Sequence, residues 1–130
     1  MKHISLSKLS LILLAAAAIL LFTSCQSVPT DVPENLTKAD LIQLAQDSYD
    51  GGNTAASKYY YELIIERFPD DPSAYIIAKF EIAHLYVKDK DYKSAQPLLE
   101  EIVSFYENPE IAATLPEYLK LAKIDLAKCE

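Results

Sequence analysis

The side chains in this chain that could do chemistry are few and widely spaced. Two histidines are present, His3 near the start and His84 in the body. Neither stands in a Ser-His-Asp or Cys-His set, and no His/Cys cluster has metal-ligand spacing. The two glycines, Gly51 and Gly52, are adjacent, so there is no glycine-rich loop to cradle a phosphate. The carboxylates group outside the helix faces only at Asp70-Asp71 and at Asp89-x-Asp91. A calcium site would need more oxygen ligands than either pair offers, and solvated turns and helix N-caps account for both. The formal net charge of −7 is spread along the chain without a cluster of Lys and Arg, which argues against nucleic acid. These residues predict a protein without catalytic residues, metal or cofactor, in which His84 is available for binding.

The elements that must position such residues read as helices. Gly is scarce, Ala, Leu, Ile, Lys and Glu are abundant, and no alternating apolar run is bounded by turn signals, so the fold class is all-α. Thr37-Lys38-Ala39-Asp40 has capping-box spacing, with Thr37 as N-cap of a helix running to about Tyr49. Its inward face takes Leu41, Leu44, Ala45 and Ser48, and Gly51-Gly52 closes it. A second helix runs from about Thr54 to Phe68 and stops at Pro69, burying Tyr60, Tyr61, Ile64 and Phe68. In the run Tyr59-Tyr60-Tyr61 the three side chains stand about 100° apart, which leaves Tyr59 as the exposed one.

A shift of 38 residues superposes this hairpin on the next. Leu44-Ala45-x2-Ser48 falls on Ile82-Ala83-x2-Tyr86, and Ser57-x3-Tyr61-x2-Ile64 falls on Ala95-x3-Leu99-x2-Ile102. The chain therefore carries an internal repeat. Small residues at Ala45, Ser57, Ala83 and Ala95 are what close helix crossings require. A third, partial unit places Tyr118, Leu121-Ala122 and Asp125 at matching positions, with a helix starting near Asn108-Pro109 that Pro116 divides. Lys120, Lys123 and Lys128 suit its outer side to a solvating cap. Pro97 either kinks the fourth helix or marks a later start with Ser94 as N-cap. The spacing resembles the tetratricopeptide repeat, with its small residues on paired helices and its closing proline. The segment 66–74, containing Phe68-Pro69-Asp70-Asp71-Pro72, looks like the turn in envelope tetratricopeptide lipoproteins of the outer-membrane assembly type. The resemblance covers about 37–128 and implies a short right-handed superhelix of antiparallel hairpins, about two and a half repeats, over 37–130.

Residues 1–24 read as a targeting segment, with Lys2 and Lys8 ahead of the apolar stretch 9–22, which is short for a bilayer span. Leu21-Phe22-Thr23-Ser24-Cys25 resembles a bacterial lipobox, with Phe22 where Leu usually stands. The resemblance implies a signal peptide over 1–24, cleavage before Cys25 and a diacylglycerol thioether on that cysteine. An ordinary signal peptide that leaves Cys25 as a thiol is the alternative, and a Cys25–Cys129 disulfide would then be open to it. In lipoproteins of this kind an Asp after the cysteine retains the protein in the inner membrane. Gln26 stands there, which favours the outer membrane and a domain facing the periplasm. Pro29 and Pro33 disfavour helix over 26–36, and few residues there could anchor a core, so 25–36 is expected to be a flexible tether of about 35 Å reach.

In the family resembled, the first helices of successive hairpins line a concave groove. The corresponding positions are Ile42, Gln46 and Tyr49, then Phe80, His84, Val87 and Lys88, then Leu119 and Lys123. Tyr49 and Phe80 would be aromatic anchors for a protein segment, with Gln46, His84 and Lys88 meeting its polar groups. Packing of Phe80, Ile42 and Leu119 between adjacent helices is the competing expectation. The sequence thus predicts a membrane-anchored, noncatalytic adaptor of the bacterial envelope that binds another protein. Self-association through the open end of a short solenoid is the alternative, since such an end leaves apolar surface uncovered.

Overall fold

The structure is a computed structural model that describes residues 27–130. The targeting segment 1–24 and Cys25 lie outside the described residues. Six helices follow one another: α1 (Lys38–Asp50), α2 (Thr54–Arg67), α3 (Pro72–Lys88), α4 (Tyr92–Phe105), α5 (Pro109–Ala112) and α6 (Pro116–Leu126). No strand occurs among the described residues. Helices α1, α2 and α3 each pack on the next in the chain, and α6 packs on α4 and α3.

The boundaries are set by local chemistry. Thr37 caps α1, its hydroxyl accepting from the Asp40 N–H while the Asp40 carboxylate accepts from the Thr37 N–H at 2.8 Å. Gly52 carries φ +79°, the left-handed turn that frees the chain to reverse into α2. Asn53 caps α2, and Asp71 caps α3 ahead of Pro72 in the first helical position. Asp91, not Ser94, caps α4, so Pro97 lies inside that helix, where it is exposed. Pro116 opens α6 as expected, after Leu115 at φ 52°. The carbonyl of Leu115 is held by the Tyr106 hydroxyl at 2.6 Å.

Packing follows the repeat. Ala45, Ser57, Ala83 and Ala95 are all fully buried, as close crossings demand. Two apolar clusters result. One gathers Leu41, Ala45, Tyr61 and Ile64 from the first hairpin, and the other gathers Ala95, Leu99, Ile102 and Ala122 from α4 and α6. Helix α3 serves both, giving Ala74, Ala78, Ile82 and Leu85 to the first and Ile76, Phe80, Ala83 and Val87 to the second. Its two apolar faces explain why its sequence is apolar nearly all round. On a further side of α3, Lys79 and Tyr75 both engage Glu101 of α4, the lysine at 2.9 Å.

Three expectations are corrected by this packing. Tyr59 is half-buried alongside Tyr60, their ring centroids 6.1 Å apart, because both lie against the first cluster. Leu121, matched by the repeat to buried Ile82, is 40% exposed. The segment 27–36 is docked: Val32 and Leu36 pack on the first cluster, and Arg67 donates to the carbonyls of Pro33 at 2.7 Å and Val32 at 3.1 Å. The segment contributes backbone carbonyls and two apolar side chains to this docking.

Candidate partner-binding groove

The expected groove residues come from α1, α3 and α6, and the structure divides them into two groups. Gln46 and Lys88 are exposed and Tyr49 is half-buried. The Lys88 ammonium sits 4.4 Å from the centre of the Tyr49 ring, so the C-terminal ends of α1 and α3 meet on one side of the molecule. Phe80 and Val87 belong instead to the second cluster, at 5% and 7% exposure. Phe80 lies edge-on to Tyr118 at 5.3 Å and is stacked on His84 at 5.5 Å, which closes it off as an anchor. Ile42 and Leu119 are half-buried against the two clusters. Packing between helices, the competing expectation for Phe80, Ile42 and Leu119, describes Phe80 fully and the other two in part, and Val87 shares the buried position.

His84 leads to residues that sequence reasoning missed. Its Nδ1 lies 2.5 Å from Oδ2 of Asp125 on α6, and the Lys128 ammonium lies 2.7 Å from Oδ1 of the same carboxylate. The Asp125 side chain is only 3% exposed. Burial alone would raise its carboxyl, but hydrogen bonds from Lys128 and His84 outweigh that and hold it below the usual carboxylate range. With Asp125 ionised, Nδ1 carries the imidazole proton and donates it, which leaves Nε2 as an acceptor in the neutral ring. The signal available in the sequence was the repeat itself, which puts Asp125 at the inward position of Tyr86, where a carboxylate requires cationic partners.

Glu81, one turn before His84, is the other missed residue. Burial pushes its carboxyl up, His84 and Lys88 pull it back, and the charge of Asp125 adds to the rise. Burial and then the Glu81 charge push up the phenol of Tyr118 on α6. Carboxylates, imidazole, ammonium groups and phenols thus converge where α3 meets α6. Chemically the set can fasten α6 to α3 and offer both donors and acceptors at its rim. Among the described residues no hydroxyl or thiol is bonded to His84, and no group of three or more His, Cys, Asp or Glu side chains converges as a metal site.

Lys123 stands apart from this set. It lines an open cleft of about 470 Å³ on α6 with Pro116, Leu119, Lys120, Ile124 and Ala127. Ile124 is 47% exposed there. The outer side of α6 therefore carries apolar side chains beside Lys120 and Lys123, and Lys128, expected on the solvating side with them, turns back to Asp125.

Fold and site together define an all-helical protein of stacked, repeat-like hairpins. Among the described residues no helix is long and apolar enough to cross a membrane. The chain is similar to an uncharacterized protein of Treponema pallidum (strain Nichols), 44% identical over 107 residues, which are 81% of this chain and 43% of that protein. It thus spans less than half the length of this relative. No protein-family profile matches the chain, and no solved structure matches it.

Proposed function

We propose that this chain is a lipid-anchored, noncatalytic adaptor of the bacterial cell envelope that binds a segment of another protein through tetratricopeptide-like helices. The hairpins form a short right-handed superhelix in this reading. Cys25 carries the diacylglycerol anchor, and the domain faces the periplasm from the outer membrane without cofactor or nucleic acid. The observation that carries the reading is the meeting of Tyr49 and Lys88, 39 residues apart in sequence, on one side of α1 and α3. Gln46 and the rim of the His84–Asp125 pair extend the surface with donors and acceptors. An amphipathic segment could lay an apolar side chain on Tyr49 and a carboxylate on Lys88.

Capture of partners from a detergent extract tests this, comparing the wild-type chain with the double variant Gln46→Ala, Lys88→Glu. Both residues are exposed, so the variant keeps the fold. Loss of one or more partners is the expected outcome, and identical partner sets would rule out this surface.

A second reading has its own observation. Leu121 and Ile124 are exposed beside the open cleft on α6, which suits self-association through that end of the stack.

A further inference from the structure

The segment that the sequence presents as loose rope is laid along α2 from end to end. The Ser27 carbonyl accepts from the side-chain amide of Asn53, the N-cap of α2, at 2.9 Å. The carbonyls of Val32 and Pro33 accept from Arg67, the last residue of α2. Between these ties the segment runs parallel to the helix, from its N-terminal to its C-terminal end. From Asn53 to Arg67 the axis rises about 21 Å at about 1.5 Å per residue. The peptide steps from Ser27 to Pro33 reach about 20 Å when extended. The two lengths are comparable, so the segment spans the helix, and Pro29 and Pro33 favour extended backbone on either side of the bend at Thr30.

The tie at Ser27 also fixes which end of the molecule it marks. Lys88 at the end of α3 covers Tyr49 at the end of α1, and the Lys58 ammonium near the start of α2 lies 4.1 Å from the Tyr86 ring centre near the end of α3. The turns 51–53 and 89–91 therefore share one end of the bundle, and Ser27 is at that end. Cys25 precedes Ser27 by two residues, a reach of about 7 Å. The turn 69–71 lies a helix length away at the opposite end.

We propose that 27–36 is a strut that stands the helices upright on a lipid surface, with the turns 51–53 and 89–91 against the bilayer and the turn 69–71 farthest from it. The inference rests on the acylation of Cys25 in the preceding reading. Tyr49 and Lys88 then lie near the membrane, within reach of a partner that is itself bound there. Asp50, Asp89 and Asp91 share this end with Lys58, Lys88, Lys90 and Lys93. With charges of both signs there, the strut is what sets the orientation.

The test uses the full chain, produced in bacteria that process lipoproteins and reconstituted with its anchor in phosphatidylcholine vesicles. Fluorophores are placed at Asp89→Cys or Asp70→Cys in a Cys129→Ser background, and lipids carrying a nitroxide headgroup quench them. Quenching several-fold stronger at position 89 than at 70 is expected, with the difference abolished by Arg67→Ala. Circular dichroism verifies that the Arg67 variant is folded. Mass spectrometry of the N-terminal peptide is read on the same samples. Acylated Cys25 with equal quenching at 89 and 70, or a difference that survives Arg67→Ala, overturns the strut and leaves the lipid anchor standing. Unmodified Cys25 with no quenching at either position overturns both.

Discussion

Replacing Asp125 by Asn keeps the shape of the side chain and removes its charge. In the native structure that charge is nearly sealed from water and is bonded to His84 and Lys128. A hydrogen bond to a charged group contributes about 1.5–3 kcal/mol. The His84 and Lys128 side chains are 30% and 49% exposed, so solvent screening lowers the sum for the two bonds to about 2 kcal/mol at neutral pH. For a domain of this size that corresponds to a fall in Tm of about 10 °C. The effect also has a signature in pH. The folded carboxyl lies below its ordinary value, so its contribution is complete above the unfolded value of about 3.9 and is lost as pH falls through the lower folded one. Urea unfolding followed by circular dichroism, at neutral pH and in acid, would compare wild type with Asp125→Asn. The midpoints are expected to differ at neutral pH and to converge in acid. Equal midpoints at neutral pH, or a gap unchanged in acid, would refute the reasoning.

Further outcomes follow from burial. The Ser57 hydroxyl is buried and has no hydrogen-bond partner among the described residues, so Ser57→Ala, which restores the alanine found at Ala95 in the repeat, should stabilise the chain by about 1 kcal/mol in thermal unfolding. A loss of stability would contradict that placement. Phe80→Ala should cost about 3–5 kcal/mol because it empties a packed site between α3 and α6, so its effect will be read in unfolding midpoints before any binding assay. Ile124→Asp should leave stability within about 0.5 kcal/mol, since the side chain is half exposed. If the end of α6 is where copies meet, the same variant should reduce the light-scattering mass to that of a monomer.

Much of the fold was legible because its determinants are local. Thr37, Asp71 and Pro69 mark ends by their own hydrogen-bonding and steric rules, and Ala45, Ser57, Ala83 and Ala95 reveal the crossings by size alone. The extent of burial on α3 was not legible, because a helix shared by two clusters hides both its faces, and helical periodicity cannot say which apolar face is spare. Phe80 and Val87 were placed in the groove for that reason. The docking of 27–36 was invisible for a different one. Its acceptors are backbone carbonyls, which every residue has, and its donor Arg67 reads in sequence only as a cation at a helix end. Glu81 carries an ordinary surface letter, and only tertiary contact distinguishes it from a solvated carboxylate, whereas Asp125 was marked by its place in the repeat alone. Tyr49 and Lys88 show the converse, since assigning both to equivalent helices was enough to bring them together.

Helix α3 is a party wall between two rooms, furnishing one side with Ala78 and Ile82 and the other with Phe80 and Ala83. Stripping away α6 would leave the room made with α1 and α2 standing, whereas a break in the wall opens both at once. Damage at the outer edge is therefore contained, and a single lesion in the middle is shared by the whole building.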